Sequence, residues 1–197
     1  AIYEKWLPQI ARDPAYNPNL SLSGNGFEIE VEASLTWKPL SWRPLPVVLA
    51  HMADMTGCGH YRVIEPFKAA KEAGLIDGAL LGRLLTVPEL ERFNPDAIVL
   101  QRQVTDAQLE ILGRTKKFSR AFKVFELDDY LPNLPLKSVH RAKMPKDILK
   151  SLRRALGMVD RFVVSTGPLA EAFAGMHSDI RVVSNTLDPR QWQGLIS

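Results

Sequence analysis

Short apolar runs alternate with amphipathic stretches along the chain from residue 46 onward. Six runs have the length and the β-branched content of buried strands: "PVVLAHM" (46–52), "GALLGRLLT" (78–86), "PDAIVLQR" (95–102), "AFKVFELDD" (121–129), "RFVVST" (161–166) and "DIRVVSN" (179–185). The stretches between them have helical character, as in "TDAQLEILGRTKKF" (105–118), which starts on a Thr-Asp cap and ends on basic residues. Strands that alternate with helices in this way predict parallel βαβ units.

This pattern predicts an α/β fold, with a Rossmann-like parallel sheet of about six strands and helices on both of its faces. Two of the predicted helices are placed by prolines. The stretch "RVIEPFKAAKEAG" (62–74) requires Pro66 to lie in the first helical turn, and "PKDILKSLRRALGMVD" (145–160) has Pro145 at its first position.

Residues 1–45 differ from the rest of the chain and are interpreted as an N-terminal extension. They are rich in proline and asparagine, and contain one helical signal and one alternating apolar run at Phe27, Ile29 and Val31. Tyr3 and Trp6 at helical spacing, followed by "RDPAYNP", resemble the end of a tetratricopeptide-type helical repeat. The alternative is a lone helix that caps the following domain, residues 46–197.

Composition excludes several classes of protein. A chain of 197 residues with 46% hydrophobic content can bury one sizeable core, and its net charge of +3 does not by itself indicate a nucleic-acid partner. The single cysteine excludes an internal disulfide, and the sequence has neither a membrane-spanning apolar run nor a signal-peptide pattern. A cytoplasmic protein is therefore expected.

In a parallel sheet, ligands bind beyond the carboxyl ends of the strands, and a glycine-rich turn, "TGCGHYR", follows the first strand. Gly57 and Gly59 would let backbone amides approach an anion or a substrate oxygen. Arg62 occupies the place of the third glycine of a dinucleotide fingerprint, and no Gly-Lys-Ser/Thr follows, so neither nucleotide motif is present. Cys58 is interpreted as a packing residue of the turn rather than as a nucleophile.

Paired carboxylates end the fourth strand, in "ELDDY". Asp128 and Asp129 could bind sugar hydroxyls, cap the following loop or hold a divalent metal; no further metal ligands are evident, so no metal site is predicted. His51 and His60 flank the first loop and are the candidate acids or bases, because histidine is the residue type that most often transfers protons near neutrality.

The segment that begins at Lys137 and ends at Arg154 contains seven Lys or Arg residues and a single acid, Asp147. It is either a solvated outer face or a dock for anionic lipid headgroups or a pyrophosphate-bearing acceptor. Aromatic residues are not interleaved with these charges, which argues against nucleic acid as a partner. His140 lies in the loop before the predicted helix and would face the same ligand-binding cleft as this basic segment.

The order of these motifs resembles the N-terminal domain of GT-B glycosyltransferases of the group 1 type. The resemblance lies in "GCGHYRVIEPFKAAKEAG", "VFELDDYLPNLP", "DRFVVSTGPLAEAF" and "VVSNTLDPRQW", and covers residues 47–192. The last motif lacks the glycine that usually follows the position of Asn185.

The resemblance implies the acceptor-side domain of a sugar transferase, with residues 185–197 starting the crossover to a C-terminal domain that binds the nucleoside diphosphate sugar. The acceptor would be a saccharide or lipid-linked hydroxyl, as in polysaccharide biosynthesis, and no cofactor or metal would be bound. His60 or Asp128 would orient the attacking hydroxyl or take its proton. Acceptor contacts would come from Gly57, Gly59, Arg62, Arg102, Asp129, His140, Ser165, Thr166 and Asn185.

The resemblance also implies that this chain is inactive without the donor-binding domain, and the basic segment would place the protein at the inner face of the membrane. One alternative is a non-catalytic Rossmann-like module that binds a nucleotide or a protein and is joined to helical repeats. Another is a one-domain transferase in which "ELDD" holds a metal and the donor phosphates.

Overall fold

A computed structural model describes residues 2–36, 42–133 and 145–186 of the chain. The strands are β1 (Val47–His51), β2 (Asp77–Leu81), β3 (Ala97–Gln101), β4 (Phe122–Leu127), β5 (Arg161–Val164) and β6 (Ile180–Val182). The helices are α1 (Ile2–Ala11), α2 (Gly57–Gly59), α3 (Glu65–Glu72), α4 (Val87–Phe93), α5 (Asp106–Phe118), α6 (Ile148–Leu156) and α7 (Gly167–Ala172). A π-helical turn (His60–Ile64) joins α2 to α3, and 3₁₀ turns lie at Ala33–Leu35 and Leu131–Asn133.

The six strands form one parallel sheet in the order β2-β1-β3-β4-β5-β6. This confirms the predicted α/β fold with a Rossmann-like parallel sheet. The chain moves outward from β1 to β2 and then returns to β3 on the other side of β1. The strand order therefore reverses between β1 and β3, and a crevice at such a point is the usual ligand site of open α/β sheets.

Alternate residues of each strand face opposite sides of the sheet, so both sides carry apolar side chains. Helices pack against both faces and cover these side chains. On one face, Phe125 and Phe162 pack with Leu152 of α6 in the larger apolar core, which also takes in α4, α5 and Phe173. On the other face, Val63 and Phe67 of the π turn and α3 pack on Ala50 of β1.

The helical run that follows β1 begins at Gly57, five residues before the predicted start at Arg62. Pro66 lies in the first turn of α3, as predicted, but α3 continues a helical run that begins at Gly57. The π turn ends at Ile64, just before α3 begins. Proline has no backbone N–H and so removes one hydrogen bond from a helix. A π turn just before Pro66 is compatible with this loss, because the regular α-helical hydrogen bonding is already interrupted there.

Two other element boundaries differ from their predictions. Helix α6 begins at Ile148 rather than at Pro145, because the Asp147 carboxylate caps it by accepting a hydrogen bond from the amide of Lys150. Strand β2 ends at Leu81, before Gly82, so the apolar run predicted to extend to residue 86 divides into a strand and a loop.

The N-terminal extension packs against the α/β domain through α1 and the loop after it. Leu7 and Ala11 of α1 are buried, and α1 lies against α4. The Arg92 guanidinium on α4 donates to the backbone carbonyls of Ala11, Pro18 and Leu20. The alternating apolar run at Phe27, Ile29 and Val31 takes part in an isolated antiparallel bridge, between Leu20 and Ile29.

Some predicted features lie outside the described residues. They are His140, the first part of the basic segment and nearly all of the predicted crossover after residue 186. Within the described ranges, no helix combines the length and the apolar character needed to cross a bilayer.

Candidate functional site

The polar residues predicted from the sequence gather where β1, β3, β4 and β5 end, next to the reversal between β1 and β3. The loop after β1 contains Asp54 and leads into α2, and Arg102 follows β3 directly. Asp128 and Asp129 follow β4, and Ser165 follows β5. Contacts between these loops join them into a single polar cluster.

Asp54 organises the turn that precedes α2. Its Oδ1 accepts hydrogen bonds from the amides of Thr56 (3.0 Å) and Gly59 (3.3 Å), so it caps the first helical turn. Gly57 has a φ of +46°, in the left-handed region that favours glycine. Gly59 is required for a different reason, because a Cβ there would lie 1.8 Å from the carbonyl oxygen of Asp54.

Arg102 connects the loop after β1 to the carboxylates after β4. It adopts a φ of +51°, which is uncommon for a side chain of this size. Its guanidinium donates to Asp54 Oδ2 at 2.8 Å, and its Nε lies 3.9 Å from Asp128 Oδ1. That Nε and that Oδ1 are buried and have no hydrogen-bond partner, so their charges attract one another across a gap too long for a hydrogen bond.

Arg62 forms a second ion pair under the same turn. Its Nε donates to Glu126 Oε1 at 2.6 Å, and each of the two side chains is only 5% exposed. The same guanidinium donates to the carbonyl of Val183 and to Asn185 Oδ1, and thereby holds the end of β6 against β4. Burial raises the pKa of Glu126, an effect that the neighbouring Arg62 opposes.

Cys58 faces the carboxylates of the loop after β4. Its Sγ lies 3.9 Å from Asp129 Oδ2, and ligand atoms of Cys58, Asp128 and Asp129 all lie within 4.8 Å of one another. Burial raises the pKa of the thiol to about 12, helped by a hydrogen bond to Asp128. The thiol is therefore protonated at neutral pH, which agrees with its interpretation as a packing residue. One thiol and two carboxylates are also a set that could hold a metal ion.

The two histidines of the first loop differ in their surroundings. His60 has a side chain 32% exposed and contacts Glu65 of α3 (Nε2 to Oε1, 3.5 Å) and the ring of Tyr61. Within the described ranges no hydrogen bond or ion pair joins it to Asp128. His51 is only 3% exposed, and burial lowers its pKa to about 4, so it is a neutral core residue rather than an accessible acid or base.

Ser165 and Thr166 both fix backbone positions at the end of β5. Ser165 Oγ donates to the backbone carbonyl of Asp128 at 2.9 Å, which holds the β4 loop against β5. The Thr166 hydroxyl caps α7 by accepting from the amide of Leu169. Ser165 therefore belongs to the cluster, whereas the Thr166 hydroxyl caps a helix.

Three residues of the cluster were not predicted as site residues: Asp54, Gln101 and Glu126. The Gln101 side chain is completely buried, accepts from the amide of Ala53 and donates to the carbonyl of Cys58. Gln101 is the last residue of β3 and Glu126 is the last but one of β4, and this position near the carboxyl end of a parallel strand is the only sequence signal they offer.

The cluster contains more carboxylates than guanidinium groups. Both arginines are paired with carboxylates, and Asp129 adds a further acidic group at the surface. Such a cluster suits hydroxyl groups, which donate to carboxylates and accept from guanidinium groups, better than it suits phosphate.

Comparison with protein-family models finds none that matches this chain, and comparison with curated proteins finds no significant sequence match.

Proposed function

We propose that this protein supplies the acceptor-side domain of a GT-B glycosyltransferase. In this proposal, a sugar passes from a nucleoside diphosphate donor to a hydroxyl of a saccharide or lipid-linked acceptor. The main observation in support of this proposal is that three segments meet at the carboxyl edge of the sheet: the Gly57–Gly59 turn, the loop that contains Asp128 and the end of β5. These are the segments on which the sequence resemblance depends.

The contacts of the two arginines support a division of labour between two domains. Arg62 and Arg102 are engaged by Glu126 and by Asp54 and Asp128, so the cluster offers carboxylates to its ligand rather than unpaired positive charge. A neutral acceptor hydroxyl fits this environment, whereas the donor pyrophosphate would be held by the C-terminal domain of the complete enzyme.

Asp128 is the proposed proton acceptor. Its carboxylate lies 3.9 Å from the Arg102 guanidinium and beside the Cys58 thiol. A general base must lie within hydrogen-bond reach of the hydroxyl that it activates, and the loop after β4 lies at the carboxyl edge of the sheet, where ligands of such folds usually bind. His60, at the same edge of the sheet, is the second proposed residue for orienting the acceptor.

The proposal is tested by a donor and acceptor screen on the full-length protein. Asp128→Asn is expected to lower kcat by about 100-fold or more, the usual contribution of a general base, while Glu110→Gln on an exposed face of α5 leaves it unchanged. Unchanged activity of Asp128→Asn would remove Asp128 from the mechanism. Efficient transfer by residues 1–197 alone would contradict the division of labour between two domains.

A cytoplasmic location at the inner face of the membrane is also part of the proposal. Lys150 and Arg153 are exposed on α6 and could contact anionic headgroups, whereas Arg154 pairs with Asp106 of α5 at 2.9 Å.

A further inference from the structure

An extended ribbon, residues 28–32, crosses the N-terminal extension beside the carboxyl ends of β1 and β2. Two of its residues hydrogen-bond to the neighbouring segment: the Glu28 carbonyl accepts from the amide of Ser21 (2.8 Å), and the amide of Glu30 donates to the carbonyl of Asn19 (2.9 Å). Phe27, just before the ribbon, has a φ of +58° and packs against Tyr16, so the extended conformation begins after it.

Within residues 2–36, 42–133 and 145–186, no strand lies beside the other edge of this ribbon. Successive residues of an extended chain direct their N–H and C=O groups to opposite edges, so Ile29 and Val31 direct theirs away from Asn19 and Ser21. Among the described residues these groups have no hydrogen-bond partner. We call this side, formed by Ile29 and Val31, the outer edge. Unpaired strand edges are templates for another strand.

The side chains of the ribbon also divide into two faces. Ile29 is 78% exposed and Val31 is 95% exposed, unusually high values for neighbouring β-branched apolar residues on one face. Glu28, Glu30 and Glu32 line a cavity of about 570 Å³ at the ends of β1 and β2, which Ile29 and Val31 also border. None of the three forms an ion pair within 4 Å in the described part of the chain. Glu30 and Glu32 accept hydrogen bonds from the amides of Glu32 and Ser34, and Arg83, which is paired with Glu89, interacts electrostatically with both.

We propose that the outer edge binds an extended segment of a partner protein as an added strand, and that this segment alternates apolar with basic residues. The main-chain groups of Ile29 and Val31 would supply the hydrogen bonds. Apolar side chains of the partner would cover Ile29 and Val31 on one face, and its Lys or Arg side chains would lie beside the glutamates on the other.

Charge excludes two other occupants. A second copy of the chain pairing antiparallel about Ile29 would place Glu28 of one copy opposite Glu30 of the other, and like charges directly opposite destabilise a strand pair. An anionic membrane surface would be repelled by the same glutamates. An extended partner segment with alternating apolar and basic residues is complementary to the apolar face and to the acidic face of the ribbon.

The test uses the intact chain and a short fluorescent peptide of alternating valine and lysine, followed by anisotropy. Saturable binding is expected, with affinity that falls as salt is raised. A peptide with the same residues in two blocks, and one N-methylated along its pairing edge, should bind at least about 10-fold more weakly, because they lose side-chain alternation and amide donors respectively.

Variants of the ribbon identify the surface. Ile29→Thr/Val31→Thr should weaken binding about 10-fold while leaving Tm unchanged, since both side chains are exposed, and Leu75→Thr, which is 65% exposed elsewhere, is the matched control. Glu28→Gln/Glu30→Gln should remove most of the salt dependence. Absence of binding, equal binding of the block peptide, or reversible dimerisation through this ribbon would each overturn the proposal.

Discussion

The backbone of Gly59 lies against the carbonyl oxygen of Asp54, whereas the surroundings of Gly57 are open. Gly59→Ala should therefore destabilise the fold by about 3 kcal/mol, because a methyl group would lie 1.8 Å from that oxygen and the loop would have to move. Gly57→Ala should cost about 1–2 kcal/mol, the usual penalty for the left-handed conformation.

Urea unfolding measures both effects. Gly82→Ala is the matched control, because Gly82 has neither a positive φ nor a neighbour within 4 Å of an added Cβ. Equal losses of stability at Gly57 and Gly59 would contradict the close approach of Asp54.

The thiol of Cys58 should react slowly in the folded protein. A pKa of about 12 instead of the ordinary 9.0 leaves roughly 1,000-fold less thiolate at pH 8, and burial is the main cause. Alkylation by iodoacetamide, followed by mass spectrometry, should be at least about 100-fold slower in buffer than in urea. Comparable rates in the two conditions would show that the thiol is not held among the carboxylates.

His51 should make the fold sensitive to acid. Its folded-state pKa, about 4, lies below the ordinary value of 6.5, so as the pH falls through this window the unfolded chain takes up a proton that the folded chain excludes. Between pH 7.5 and 5, this linkage should remove about 2 kcal/mol of stability from the wild type but not from His51→Leu. Parallel pH dependence in the two proteins, measured by urea unfolding, would contradict it.

At the scale of elements, the Arg62–Glu126 pair joins the π turn to β4 and to the end of β6. Arg62→Met should cost about 3–5 kcal/mol, because it leaves Glu126 buried without its partner. Arg62→Met/Glu126→Leu should recover most of that loss, because the buried charge is then removed as well. Thermal and urea unfolding of both variants, with hydrogen exchange at Val183 as a local readout, measure this coupling.

The elements themselves were largely predictable from the sequence, because the six apolar strands and their intervening helices have clear patterns, although the edge strand β6 is not buried as predicted. The order of the strands was not, since βαβ units with the same local pattern can add to either side of β1. The helix start at Gly57 was missed because Pro66 indicates a helix beginning nearby, and a π turn that accommodates proline within a longer run has no periodic signature.

The site was predictable in position but not in its pairings. Gly57, Asp128 and Ser165 follow strands of a parallel sheet, and the fold brings the carboxyl ends of those strands to one edge. Arg62 pairs with Glu126 and Arg102 with Asp54, across 64 and 48 residues of sequence. Such long-range partners depend on strand order and register, which the local pattern does not contain.

At the scale of the whole molecule, the sheet places two acidic surfaces along its carboxyl edge. One is the cluster around Asp128, and the other is the cavity lined by the glutamates of residues 28–32. The first is proposed to bind an acceptor hydroxyl, and the second lies behind the ribbon proposed to bind a basic strand. The negative charge of both surfaces would disfavour the binding of a phosphate group without a bound cation at this edge.

The most direct test of the central claim is a pair of NMR titrations of this chain, one with a panel of disaccharides and one with UDP-glucose. The account predicts that at least one disaccharide shifts the amide signals of Cys58, Asp129 and Ser165 in a saturable manner, and that UDP-glucose does not. Asp128→Asn should abolish the disaccharide shifts. Saturable binding of UDP-glucose at the same residues, or no response to any disaccharide, would contradict an acceptor site at this edge of the sheet.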